Sequence, residues 1–443
     1  MSPAEQLGAQ HSQIDGDPEL KFLIDLVTPL GRDPRSGNPS HPSDDFDWLR
    51  FLKLARWHRL CPVLSQDNLR RSRVPLKIIA EIATEQQTNA IKSLNRKQAC
   101  VKICQRLKNA EIDCLVVKGP AIEQQLAVHR ISRHSGDLDL LITSENLPRA
   151  TKLLASLGYH PIPGDLPSFD APDLSPKQRE FLKSHENHLR LIHDKTKLIV
   201  EIHWKLSPSP FLWAISFPDL WKRRTTFSLA HQQLHTLSPP DHLIFLVIHG
   251  AFHAWFRLFW LYEFAILYSS ASRETLDAVH KIAFNEHGNR ALSAALTLTE
   301  YVFGFTESTL SNPRSNSRTH PRMLTNYPLL LSHSFVSAES RTPVQSLRHA
   351  IYHFALLPSF KAKRHALWLL AISPKDFESL RLPDPLFRLY TLARPTLWLL
   401  RKMGRKRSLP RNVNAPIEKR GHPQSNSIAG ADTRRNTPKQ RAR

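Results

Sequence analysis

The stretch Ser135-Gly136-Asp137-Leu138-Asp139-Leu140-Leu141-Ile142 constrains this chain more than any other. Acidic and apolar residues alternate in it, and turn-forming residues bound it, so it reads as a short strand. Successive side chains on a strand point to opposite faces. Asp137 and Asp139 therefore share one face, while Leu138 and Leu140 share the other and enter a core. Two carboxylates held close on a rigid strand repel each other unless something offsets the charge. A divalent cation is the common offset, and Mg²⁺ uses one or two carboxylates together with substrate phosphates. The same dipeptide spacing also occurs on the solvated face of an edge strand, so its meaning depends on what surrounds it.

Just upstream, residues 114 to 117 read as a buried strand that Gly119-Pro120 ends. Proline is tolerated in the first turn of a helix, and a helix is expected over residues 121 to 129. Its N-terminus offers unpaired N–H groups to an anion. Gly119 permits close backbone approach, and Lys118 is either a point charge for a phosphate or a solvated strand end. The chain contains no G-x-x-x-x-G-K-[ST] loop. Downstream, residues 147 to 157 read as a helix ending at Gly158, followed by a proline-rich loop over residues 161 to 176. Residues 188 to 193 and 198 to 204, joined by a polar turn, then read as a β-hairpin. Glu201 and His203 share one face of its second strand, opposite Val200 and Ile202. Glu201 thus supplies a third carboxylate for a two-metal clamp, or it pairs across the hairpin with Arg190 or Lys197.

These residues together resemble a known family. Lys118-Gly119, Arg133, Gly136-Asp137-Leu138-Asp139-Leu140-Leu141, Gly158-Tyr159 and Glu201-Ile202-His203-Trp204 are similar to the motifs of the uncharacterised bacterial nucleotidyltransferases. That family belongs to the DNA polymerase β-like superfamily. The likeness extends from residue 46 to about residue 403. It takes in residues 48 to 64, His249 and His253, Trp260-Leu261-Tyr262-Glu263, Leu382-Pro383, Leu389-Tyr390 and Arg394-Pro395. It implies an α/β (α+β) core with a small mixed sheet, flanked by large helical regions in a predominantly helical chain. It also implies Mg²⁺ or Mn²⁺ and a nucleoside triphosphate, whose nucleoside monophosphate goes to an acceptor as pyrophosphate leaves. Carried over, Asp137, Asp139 and Glu201 become the metal-binding and catalytic carboxylates. Lys118, Gly119, Arg133 and His203 become the nucleotide-binding residues. The acceptor is a small molecule, a sugar, a peptide or protein side chain, or an RNA end. The chain departs from the superfamily at the turn, where Lys118-Gly119-Pro120 replaces Gly-Ser or Gly-Gly. It departs from the family at Glu263, where Asp is common. A catalytically degenerate core that binds nucleotide, RNA or an anionic surface is the alternative.

Charge divides the chain. Of its formal net charge of +22, a net +11 lies between Arg401 and Arg443, in a polar tail with the composition of a disordered segment. Such a tail contacts RNA or anionic lipid non-specifically, or simply solubilises the chain. The apolar residues 386 to 400 just before it suit a helix lying on a membrane surface or docked on the protein's own core. No uninterrupted apolar run is long enough to span a bilayer, and the first residues lack the pattern of a signal peptide, so a cytoplasmic or membrane-peripheral protein is expected. The four cysteines, Cys61, Cys100, Cys104 and Cys114, lack C-x-x-C spacing and read as reduced structural thiols.

The expected order is a disordered segment over residues 1–45, a helical region over 46–111 and the catalytic core over 112–206. A helical region over 207–310 then walls the cleft. A linker or loop over 311–345, a C-terminal helical region over 346–403 and the basic tail over 404–443 complete the chain. His249 and His253 stand one helical turn apart, a spacing that suits a shared metal but more often serves packing.

Overall fold

The computed structural model describes residues 16–28, 42–129, 131–134, 136–162, 174–207, 209, 211–304 and 343–405. The chain divides into two units, residues 1–394 and 395–443. In the second, only residues 395–405 are described, and they are helical. The basic tail beyond them and most of the expected linker lie outside the described residues.

The first unit begins with helix α1 (Pro18–Val27), within the stretch expected to lack structure. Asp17 caps it, Pro18 suits its first turn, and Leu20, Phe22, Leu23, Ile24, Leu26 and Val27 are buried. Helix α2 (Trp48–Trp57) follows, capped by Asp47, whose side chain accepts from the Leu49 and Arg50 amides. Arg50 pairs with Asp17 at 2.5 Å and with Glu19. Phe22 meets Phe46, Trp48 and Phe51 at ring-centroid distances of 5.3 to 6.0 Å. Helices α3 (Gln66–Arg71) and α4 (Leu76–Asn109) lead to the sheet.

Among the described residues the sheet has seven strands: β1 (Leu115–Val116), β2 (Asp137–Leu141), β3 (Tyr159–Pro161), β4 (His188–His193), β5 (Ile199–His203), β6 (Thr225–Leu229) and β7 (Gln232–Thr236). Their order is β3-β4-β5-β2-β1-β7-β6. β2 runs parallel to β5, and β1 parallel to β7; the other neighbours are antiparallel. The expected α/β core with a mixed sheet, flanked by helices, is what the chain builds. Helix α5 (Pro120–Ala127) connects β1 to β2, α6 (Leu147–Ser156) connects β2 to β3, and α7 (Pro176–His185) precedes β4. Helix α7 starts where a proline-rich loop was expected to end, on a reciprocal cap between Ser175 and Gln178. Helix α8 (Phe217–Lys222) precedes the β6–β7 hairpin. That hairpin lies in a stretch expected to be all helix, and it carries the sheet beyond residue 206.

The remaining described helices are α9 (Pro239–Phe252), α10 (Leu258–Ser269), α11 (Arg273–Asn285), α12 (Asn289–Phe303), α13 (Pro343–Leu356), α14 (Phe360–Leu370), α15 (Asp376–Ser379) and α16 (Tyr390–Arg405). Two apolar cores flank the sheet. Leu138, Leu140, Val200 and Ile202 pack with Leu189, Leu191 and the α4 residues Cys100, Ile103 and Leu107. Leu115, Val117 and Leu141 pack on the other side with helices α9 to α12. Helices α9 and α10 are apolar nearly all round and almost wholly buried, as helices inside a core must be. Gly250 of α9 makes room for the Trp255 ring, which would lie 2.2 Å from a methyl group placed there.

Candidate active site

Alternation along β2 sends Leu138 and Leu140 into one core and turns Asp137 and Asp139 toward α9 and α10. The parallel register with β5 sets Asp139 opposite Glu201 and Leu141 opposite His203. The antiparallel register with β4 sets Arg190 opposite Glu201. The outcome is a cluster in which Asp139, Glu201 and His203 each offer a ligand atom within 4.8 Å of the others. His203 Nε2 lies 3.3 Å from Asp139 Oδ1 and 3.5 Å from Glu201 Oε2. Arg190 Nε lies 3.5 Å from Glu201 Oε1, so the cross-strand pairing open to Glu201 coexists with its place in the cluster.

Electrostatics bind the three together. Burial pulls His203 down, but its hydrogen bonds and charge contacts with Asp139 and Glu201 outweigh that and raise it to about 9. At neutral pH an imidazolium therefore sits between two carboxylates. Glu201 is shifted the other way: burial and the Asp137 charge push it up, and the His203 contact brings it below the usual carboxylate range. Asp139 Oδ2 is buried and has no hydrogen-bond partner. Leaving such an oxygen unsatisfied costs about 1–3 kcal/mol. A hard cation bound there would supply the missing partner, and carboxylate oxygens are the donors that Mg²⁺ or Mn²⁺ prefers. The residues present thus fit a divalent ion. Asp137, half-buried and two residues before Asp139, shares the face but stands outside the close cluster.

The expected nucleotide-binding residues fall around this row. Gly119 caps α5 with φ of +61°, a conformation glycine adopts without strain, and its α-carbon faces the Asp137 carbonyl oxygen. Lys118 is buried, not solvated, and its Nζ lies 2.9 Å from His249 Nε2. Burial, Lys118 and His253 hold His249 well below its ordinary range, so the neutral ring accepts from Lys118. His249 and His253, with ring centroids 4.7 Å apart, pack against Trp260. Arg133 is buried and ion-paired with the fully buried Glu263 of α10. Burial works against the Arg133 charge, but Glu263, Asp139 and Asp137 together raise its pKa. Glu263 thus positions Arg133, a role the pattern of its own helix did not reveal. Arg59 and Arg96 also lie within reach of the Asp137 charge, Arg257 lies beside Arg59, and His134 lies among these arginines. They come from positions far apart in the chain and carry no local motif that marks them.

A mixed sheet that aims acidic side chains from two adjacent parallel strands at a helical wall is consistent with a nucleotidyltransferase core. The family model of uncharacterised nucleotidyltransferases matches residues 44–304, more than half of the chain, and the chain belongs to that family. No curated protein and no solved structure matches it.

Proposed function

We propose that the protein moves a nucleoside monophosphate from a nucleoside triphosphate to an acceptor nucleophile, releasing pyrophosphate. The observation that carries this reading is the in-register pair Asp139 and Glu201, with a buried Asp139 oxygen that lacks a partner. Asp137, Asp139 and Glu201 would hold Mg²⁺ or Mn²⁺, which supplies charge neutralisation on the triphosphate. Glu201 would also take the proton of the attacking hydroxyl or amine. His203 orients Asp139 and Glu201 through its two contacts. Positioning and electrostatic complementarity would provide most of the rate, as in other phosphoryl and nucleotidyl transfers. Lys118, Gly119 and Arg133 would face the triphosphate. The acceptor is a small molecule, a sugar, a peptide or protein side chain, or RNA.

One observation favours the alternative of a nucleotide-binding protein without turnover: His203 already provides an internal cation between the two carboxylates. The deciding experiment is pyrophosphate release from each of the four NTPs with Mg²⁺ or Mn²⁺, in the presence of a cell extract as acceptor source. Release by the wild type that disappears in the Asp137→Asn/Asp139→Asn double variant supports transfer. Absence of release from folded wild type with every NTP favours binding alone.

A further inference from the structure

We infer that Arg59, Arg96 and Arg257, from segments outside the catalytic sheet, form a basin at the Asp137 end of the carboxylate row that receives a polyphosphate group. The row runs from His203 through Asp139 and Glu201 to Asp137, and Gly136 continues it. A methyl group at Gly136 would sit 3.7 Å from Arg59 Nη1 and 3.8 Å from Nη2. The Arg59 guanidinium therefore lies against the backbone just before Asp137.

The chain holds Arg59 there deliberately in structural terms. Its φ of +59° is left-handed, which a residue with a Cβ rarely adopts. The preceding residue, His58, is fully buried and anchors the segment. It accepts from the Leu258 amide at Nδ1 (3.2 Å), and its carbonyl accepts from the Phe259 amide (3.3 Å). The same anchor brings in Arg257, whose Nη1 donates to the Trp57 carbonyl and whose guanidinium lies 4.7 Å from the Trp57 ring and 5.2 Å from the Phe256 ring. Arg96, from the middle of α4, is 4% exposed. Its Nε and Nη2 are buried without a hydrogen-bond partner, as is Arg257 Nε.

Charges here do not balance. Arg96 feels Arg133, Asp137, Glu123 and Arg59, and Arg257 feels Arg59. Burial followed by the mutual repulsion of these groups lowers Arg96 to about 10 and Arg257 to about 9. His134 feels all four arginines. Of the carboxylates in reach, Glu263 is held by Arg133, and Glu123 by Lys97 at 2.8 Å and by Ser93. That leaves Asp137 against Arg59 and Arg96, with Arg257 beside Arg59. Desolvated cations without partners are costly unless an anion joins them. Guanidinium forks match phosphate oxygens in pairs, and several forks in one place suit a group bearing several phosphates. The basin itself stands on this geometry; assigning its phosphates to a substrate rests on the proposed nucleotidyl transfer. They belong either to the triphosphate tail of the nucleotide or to a phosphorylated acceptor.

The test is calorimetric binding of inorganic tripolyphosphate to the full chain, without divalent metal, at low salt. Wild type is compared with Arg59→Gln, Arg96→Gln and, as a control for general charge, the exposed Lys152→Gln. The basin predicts binding that weakens about tenfold or more in each arginine variant and is unchanged in Lys152→Gln. Tripolyphosphate should also raise the melting temperature of wild type more than that of the arginine variants. If Arg96→Gln fails to fold, Arg59, which is less buried than Arg96, carries the comparison. Wild type that does not bind, or arginine variants that bind as tightly as wild type, overturns the inference. A fluorescent NTP analogue then separates the sources: displacement by tripolyphosphate assigns the basin to the nucleotide tail, and simultaneous binding assigns it to the acceptor. Tripolyphosphate binding without pyrophosphate release from any NTP would keep the basin and count against transfer. Release that both arginine variants retain in full would keep transfer and overturn the basin.

Discussion

Arg133 and Glu263, 130 residues apart in the chain, form an ion pair whose side chains are 3% and 0% exposed. Asn89 fixes the Arg133 backbone by donating to its carbonyl at 2.8 Å. Breaking such a pair from one side leaves a buried charge alone, at a cost of about 3–5 kcal/mol. Glu263→Gln should therefore lower stability by that order in urea unfolding. The double variant Arg133→Met/Glu263→Leu should recover most of it. Equal stability of the single variant and wild type would show that the pair is not closed in solution.

Asp139 carries the proposed chemistry most directly. Asp139→Asn should reduce metal-dependent pyrophosphate release about a hundredfold or more, in the range lost when a key electrostatic group is removed from an active site. Because it also removes one partner of His203, its fold should be checked by far-ultraviolet circular dichroism. Undiminished release would exclude Asp139 as a metal ligand.

Acid should destabilise the protein well above the range of carboxylate titration. Burial lowers His58 and His242 to about 3, and Arg257 adds to the effect at His58. Both are neutral in the folded state, whereas the unfolded chain takes up protons below about pH 6.5. Their contribution is full above about pH 6.5 and is lost as pH falls toward about 3, at about 1.4 kcal/mol per pH unit for each group. His203, raised to about 9, acts in the opposite sense: its contribution is full below about pH 6.5 and is lost as pH rises through about 9. The urea midpoint of metal-free protein should thus peak near pH 6.5–7 and fall on both sides. A midpoint that stays flat between pH 7 and pH 5 would contradict the neutral state of the two buried rings.

Gly250→Ala should destabilise the protein although alanine favours helices. The new methyl would overlap the Trp255 ring, and overpacking of this kind costs about 1–3 kcal/mol. Gly250→Ala combined with Trp255→Phe should be less destabilised than Gly250→Ala alone. A melting temperature of Gly250→Ala at or above that of wild type would show that the ring can move aside freely.

Legibility of the sequence followed the strength of local pattern. Strand β2 and the β4–β5 hairpin stood out because apolar and polar residues alternate cleanly in them, and alternation alone placed Glu201 and His203 on one face. The β6–β7 hairpin did not: in Thr225–Leu229 and Gln232–Thr236 the buried apolar residues are Phe227 and Leu234, too few to show a period. Helix α1 was hidden because its ten apolar-rich residues sit in a segment that is polar as a whole. The parallel register that sets Asp139 beside Glu201 joins positions 62 residues apart and cannot be read from either strand. Likewise Lys118 reads as a charged residue at a strand end, and only the packing of α9 over the sheet shows that it is buried against His249.

Helix α1 lies ahead of the stretch that defines the family, which starts at residue 44. Yet Phe22 completes the aromatic cluster of Phe46, Trp48 and Phe51, and Asp17 and Glu19 hold Arg50. At the far boundary, Arg290 donates to the carbonyls of Ala355 and Leu357, both past residue 304. A fragment trimmed to the family's limits would lose shielding at one end and an anchor at the other. What is shared by descent and what folds as a piece are, in this protein, stretches of different length.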